Sequence, residues 1–118
     1  MGFLRRSSPK PVSPGHDIVS VAEQLRRAGA DAGVTHVTRH FLYIPGVKAA
    51  QQVARKVNSQ GRHVAVETSA RTGFWLVVVS QSVLVTQENL DTLRAEFEAV
   101  AREAGGEYDR WQVDIAGG

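Results

Sequence analysis

The sequence contains no cysteine among its 118 residues. A chain without cysteine forms no disulfide, offers no thiolate to a zinc ion and carries no thiol nucleophile. The absence is typical of proteins that fold in a reducing compartment, where disulfides do not persist. Disulfide scaffolds, zinc thiolate sites and thiol catalysis are therefore excluded.

Long apolar runs are also missing. The chain has no stretch of about 18 consecutive apolar residues, the length that a membrane-spanning helix needs. Arg5 and Arg6 lie near the N-terminus, but no apolar segment follows them as it would in a secretory signal. We therefore expect a cytoplasmic protein that makes no contact with a membrane.

The motifs of common enzyme classes are absent as well. There is no Gly-x-Ser-x-Gly turn, no Walker loop and no Gly-x-Gly-x-x-Gly motif. Glu67, Glu107 and Asp109 lie on predicted strands, but nothing in the sequence brings them together as an acid pair. We expect a protein that is not an enzyme and needs no cofactor.

The histidines offer no evident metal site. His36 and His40 share one face of a predicted strand, whereas His16 and His63 lie elsewhere. Four residues of a strand span roughly 13 Å, which is too far for both imidazoles to bind one metal ion. We interpret His36 and His40 as surface residues of a sheet.

The composition is that of one globular domain, with 42% hydrophobic and 22% charged residues. The net charge is +2, but Arg5, Arg6 and Lys10 are the only charges among the first 16 residues. Without these three, 11 of the 14 basic residues remain against 12 acidic ones, so the net charge becomes −1. The rest of the chain therefore lacks the basic excess that argues for direct nucleic-acid binding.

Residues 1–14 are predicted to form a disordered basic tail. They include three serines and three prolines, and such a segment buries too little apolar surface to offset the entropy lost on ordering. Residues 15–116 are then the folded domain.

The first half of this domain is predicted to contain helix, strand and helix. The first helix follows Asp17, a suitable N-cap residue, and ends in the Gly/Ala-rich segment 28–33. Residues 34–44 are rich in β-branched and aromatic side chains and form a strand. The second helix starts near residue 47, and Gly61 is predicted to end it as the C′ glycine.

The second half is predicted to contain a hairpin, a helix and a closing strand. Residues 62–68 and 74–80 form the two strands of the hairpin. Thr86 is suited to cap the third helix, whose apolar residues recur at helical spacing. Residues 107–115 form the last strand.

This order predicts an α+β domain of the ferredoxin-like type. After the first helix, the elements follow the split βαβ pattern, with a four-stranded antiparallel sheet. Right-handed crossovers bring both crossover helices to one face of the sheet. The opposite face is then open or partly covered by the first helix.

Two functions other than protein binding are open to such a domain. Residues 42–47 are similar to the first-strand motif of RNA-recognition modules, with Tyr43 at the stacking position. The second stacking aromatic is missing, because Phe74 is followed by Leu76 and Val78. A small-molecule-sensing module, in which the domain pairs as a homo-oligomer, is the other alternative, although a fold alone does not establish it.

The closing strand carries a more specific resemblance. Residues 106–111, read Gly-Glu-Tyr-Asp-Arg-Trp, resemble the Glu-Tyr-Asp-Gly-Trp signature of the ribonuclease E inhibitor RraB family. Arg110 departs from the usual glycine. Residues 37–41 and 74–78 are similar to the first and third strands of that family, so the resemblance covers roughly residues 17–115.

The resemblance implies regulation by protein–protein contact, with an RNase E-type endoribonuclease as the partner and no active site in the regulator. The best-known type in the family has a long acidic tail, which this sequence does not show after Ile115. The partner-binding candidates are Glu107, Tyr108, Asp109, Trp111, His40 and Tyr43.

Strict strand alternation makes a further prediction about the two aromatic residues of the signature. It puts Trp111 on the opposite face from Tyr108, so one ring enters the core while the other helps to form a surface.

Overall fold

The computed structural model describes residues 2–5, 21–29, 33–59 and 61–114. The strands are β1 (Gly2–Arg5), β2 (Thr35–Pro45), β3 (Arg62–Thr68), β4 (Phe74–Leu84) and β5 (Glu107–Asp114). The helices are α1 (Val21–Arg27), α2 (Val47–Val57) and α3 (Gln87–Glu103).

One sheet joins all five of these strands in the order β1-β5-β2-β4-β3. The four strands β5, β2, β4 and β3 pair antiparallel, and α2 and α3 make the two crossovers between them. The two central strands, β2 and β4, each begin or end a crossover, as in a split βαβ unit. The predicted ferredoxin-like α+β fold is therefore confirmed.

The first strand is an addition to that fold. Gly2–Arg5 pairs in parallel with β5, from Gly2 opposite Trp111 to Arg5 opposite Asp114. This differs from the disorder predicted for residues 1–14, because the outer edge of β5 offers backbone groups that a short extended segment can bond. The rest of that segment, and Asp17 with it, lies outside the described residues.

The helix ends follow local chemistry. Thr86 caps α3, and its hydroxyl accepts a hydrogen bond of 3.0 Å from the Asn89 backbone N–H. The prediction for the end of α2 was wrong, because the helix ends at Val57 with an extended Asn58 as its C-cap. Gly61 instead has a φ of 85° in the turn that leads into β3.

The main core lies between the sheet and the two crossover helices. Its buried members include Leu42, Ile44, Val53, Val57, Val77, Val79, Leu93, Phe97 and Val100. A second buried cluster joins α1 and the start of α3 to β5: Leu25, Ala28, Val85, Leu90, Trp111 and Val113. Because α1 packs beside α3, the first helix covers the helical face of the sheet and not the opposite one.

The inward face of β2 is the one that carries the histidines. His36 and His40 are 1% and 0% exposed, so the prediction that they are surface residues was wrong. Ile44 and Leu42 follow on the same face and enter the main core. The strand cannot turn this apolar end inward without also burying the histidines, because side chains alternate with a strict period of two.

Candidate functional site

The closing strand contains a β-bulge. Leu42 pairs with Tyr108 while Phe41 pairs with Arg110, so Asp109 is an extra residue in β5. An extra residue reverses the alternation of side chains on the two sides of a bulge. Tyr108 and Trp111 therefore point toward the same, helical face, and the prediction that they lie on opposite faces was wrong.

Trp111 is a core residue. It is 7% exposed and packs in the cluster that α1 forms with β5, together with Leu25, Leu90 and Val113. A partner protein cannot contact this ring without displacing α1. In this conformation Trp111 stabilises the fold and is not part of the outer surface.

Tyr108 completes a buried hydrogen-bond chain. Its hydroxyl lies 2.9 Å from Nδ1 of His40, and Nε2 of His40 lies 3.2 Å from Oγ1 of Thr38. The Thr38 hydroxyl donates to the Gln81 carbonyl oxygen at 2.8 Å, so its oxygen is left to accept from His40. We therefore assign the proton of His40 to Nε2, and the Tyr108 hydroxyl donates to Nδ1.

The surroundings keep His40 neutral. Burial lowers the pKa of His40 to about 4, and the positive charge of Arg62 acts in the same direction. The Phe97 ring lies 4.8 Å from the imidazole, and the Arg62 guanidinium lies 4.9 Å from the centre of that ring. Arg62 in turn makes two hydrogen bonds of 2.8 Å to Glu96.

This chain of polar groups has a structural role. His40 is fully buried, and burial raises the pKa of the Tyr108 hydroxyl well above its usual value. Neither side chain is thus an accessible base at neutral pH. The network satisfies His40 and Thr38, two of the polar side chains that β2 brings into the core.

The glycine before the signature has a steric reason. A Cβ atom on Gly106 would lie 2.0 Å from the Tyr43 carbonyl oxygen, a distance that no side chain tolerates. The Gly106 N–H donates to the Ala101 carbonyl oxygen at 2.8 Å, which turns the chain from α3 into β5. The signature thus starts where two backbones come into direct contact.

An aromatic–arginine cluster, defined here as Tyr43, Arg71, Phe74 and Glu107, lies beside the start of β5. The Arg71 guanidinium is 4.1 Å from the centre of the Phe74 ring and 5.5 Å from that of Tyr43. It also forms an ion pair with Glu107. Both charged side chains are about half exposed, at 44% and 57%. Of the sequence candidates, Glu107 and Tyr43 thus come together on the surface.

Two members of this cluster were missed as candidates. Arg71 belongs to the turn before β4 and Phe74 is the first residue of that strand. An arginine and an aromatic residue flanking a turn are a weak signal, and nothing in the sequence sets that turn beside Glu107. The pairing of β2 with both β4 and β5 brings them together.

Two more arginines that the structure describes on the face opposite the helices, Arg39 and Arg110, also have acidic partners. Arg110, the departure from the family signature, bonds Asp109 at 2.7 Å and stacks 4.0 Å above the Phe41 ring. Arg39 lies 2.6 Å from Asp114. A neighbouring carboxylate thus offsets the charge of each arginine described on this face, which fits a protein surface better than a phosphate-binding one.

A comparison with protein families matches residues 17–113 to the family described as Regulator of ribonuclease activity B. The chain belongs to this family. The match spans the fold from α1 to β5, and the family consists of regulators of ribonuclease activity, not of catalysts. Comparison with curated proteins gives no match, and comparison with solved structures gives none either.

Among the described residues, no group of three or more histidine, aspartate or glutamate side chains could hold a metal ion. Within the same part of the chain, no helix is long and apolar enough to cross a membrane.

Proposed function

We propose that this protein binds an RNase E-type endoribonuclease directly and reduces its cleavage of RNA. Membership of the ribonuclease-regulator family is the observation that carries the proposal. Because the family is one of regulators, the proposal is that regulation acts through contact between protein surfaces.

The aromatic–arginine cluster is the contact surface that we propose. Arginine and aromatic side chains contribute most of the binding energy at many protein interfaces. Tyr43 and Phe74 are only partly buried, and Arg71 is already held over their rings. Such an ordered side chain loses little further entropy when a partner binds. Asp109 and Arg110, next along β5, extend this surface.

The experiment combines capture of the nuclease with an RNA cleavage assay. We expect the wild-type chain to bind the enzyme and to slow cleavage. Tyr43→Ala and Arg71→Ala are each expected to weaken binding by roughly 10-fold, the effect of a typical interface residue. Gln51→Ala, an exposed change on α2, is the matched control and leaves binding unchanged.

The outcomes separate the parts of this proposal. Failure of the wild-type chain to capture the nuclease would exclude that partner. Full binding by both cluster variants would move the contact elsewhere on the molecule. Salt-dependent binding of single-stranded RNA that Tyr43→Ala weakens would favour the RNA-binding alternative, and a ligand-induced thermal shift would favour small-molecule sensing.

A further inference from the structure

The strand β3 forms one edge of the sheet in the part of the chain that the structure describes. It spans seven residues, Arg62–Thr68, and pairs with β4 along its whole length without a shift in register. The opposite edge is the four-residue strand β1. A regular strand at an edge presents a row of backbone N–H and C=O groups that another strand can bond.

The sequence of β3 does little to prevent such pairing. Native edge strands are usually protected by proline, lysine, bulges or inward-pointing charges. This strand contains neither proline nor lysine, and its one inward charge, Arg62, is at the first position and engaged with Glu96. Residues 63–68 are a run rich in β-branched side chains. The edge is therefore built to accept a strand.

The order of side chains in β3 is complementary to itself. In an antiparallel pair of two β3 strands centred on Ala65, Val64 lies opposite Val66 of the second copy. His63 then lies opposite Glu67 of the second copy, so an imidazole meets a carboxylate on each side of the axis. Ala65 meets itself at the axis, where a small side chain fits. Apolar pairs and hydrogen-bonding polar pairs across two strands stabilise a sheet.

We propose that β3 is a self-association edge, at which a second copy of this chain adds to the sheet in this register. The symmetry of the pairing makes the interface isologous, as in most homodimers. His63 and Glu67 are both exposed on the face opposite the helices, where they are accessible to the second copy. This proposal is independent of the nuclease as a partner.

A charge exchange tests the pairing in the full chain by sedimentation velocity over a range of concentrations. The wild-type chain is expected to show a reversible dimer below about 1 mM. His63→Glu creates two like-charge pairs across the axis and is expected to weaken the dimer about 10-fold. Adding Glu67→His to it restores both histidine–glutamate pairs and the dimer, because the two-fold symmetry exchanges the two positions.

A cysteine crosslink tests the register, since the chain has no cysteine of its own. Ala65→Cys puts the new thiol opposite its own copy at a distance suited to a disulfide, so oxidation is expected to give a covalent dimer. Glu67→Cys, on the same strand, is the matched control. The two copies of position 67 in the dimer are four residues apart along the strands, roughly 13 Å, which is too far for a disulfide. The Glu67→Cys variant should therefore give no covalent dimer under the same conditions.

The outcomes are distinct. A wild-type chain that stays monomeric up to about 1 mM would overturn the proposal. A dimer that His63→Glu leaves intact would also overturn the proposal. The same holds if Glu67→Cys forms a covalent dimer as readily as Ala65→Cys does, because the contact would then lie elsewhere. His63→Glu and Glu67→Cys change exposed side chains, Ala65→Cys changes a partly buried one, and circular dichroism would verify that all three variants fold.

Discussion

The Tyr108 hydroxyl donates a hydrogen bond of 2.9 Å to Nδ1 of His40, a residue whose side chain is fully buried. The two residues are 68 positions apart in the chain, on adjacent strands. The tyrosine of the family signature thus satisfies a histidine of β2, and the signature is in part a requirement of the core. This separates its core-facing residues, the partly buried Tyr108 and the buried Trp111, from the exposed Glu107 and the partly exposed Asp109.

Removing the Tyr108 hydroxyl is predicted to destabilise the fold. Tyr108→Phe keeps the ring but leaves Nδ1 of His40 buried and unpaired, at a cost of about 1–3 kcal/mol in the free energy of unfolding. Urea denaturation at pH 7 measures it. Tyr43→Phe, which removes a hydroxyl from the open face, is the control and should change stability by less than about 0.5 kcal/mol. Equal effects of the two changes would refute the assigned role of Tyr108.

Stability is predicted to fall as the pH is lowered from 6.5 toward 4. The pKa of His40 falls from its ordinary value of 6.5, which applies to the unfolded chain, to about 4 in the folded protein. As the pH is lowered, the unfolded chain therefore takes up the proton first. Protonation therefore favours unfolding, and about 3 kcal/mol is lost once the pH is below both values. Urea titrations between pH 4.5 and 7 measure the slope.

A double variant isolates the contribution of His40 to this slope. His40→Leu with Tyr108→Phe removes both hydrogen-bonding partners, a change that costs little when shape is kept. The pH dependence above pH 4.5 should largely disappear. Glu96 and Glu103, whose pKa values lie below 4.5 because of Arg62 and Lys56, lose their contributions only at lower pH. An unchanged slope would mean that another group titrates.

Adding a methyl group at Gly106 is predicted to disrupt the junction between α3 and β5. Gly106→Ala drives a Cβ atom into the Tyr43 carbonyl oxygen, so the backbones must separate, at an expected cost above about 3 kcal/mol. Gly46→Ala is the control, because its Cβ would meet open space and only the positive φ opposes it, at about 1–2 kcal/mol. Thermal unfolding of both variants compares the costs. A Gly106 variant no less stable than the Gly46 variant would contradict the close contact.

Truncation of Trp111 is predicted to act on folding and not on a partner. Trp111→Ala opens a cavity between α1 and β5 and should cost about 3–5 kcal/mol. Loss of nuclease capture by this variant should follow the unfolded fraction measured by circular dichroism. Impaired capture by a fully folded Trp111 variant would show that the ring meets the partner directly.

The order of elements, the ferredoxin-like arrangement and the Thr86 cap could be read from the sequence, because each depends on local chemistry or on spacing along one segment. Periodicity divided β2 correctly into two faces. Which face is buried was decided by the tertiary structure, because Leu42 and Ile44 take their histidine neighbours into the core with them.

The bulge at Asp109 and the parallel pairing of Gly2–Arg5 were likewise decided by tertiary structure. Alternation along β5 assumes that every residue has one cross-strand position, and a bulge breaks that assumption. A bulge or an added strand is a property of two paired strands, whereas the sequence pattern of each strand describes that strand alone. The order of elements thus predicted the fold and the signature predicted the family, and only the pairing of β5 with β2 showed that Tyr108 and Trp111 both face the core.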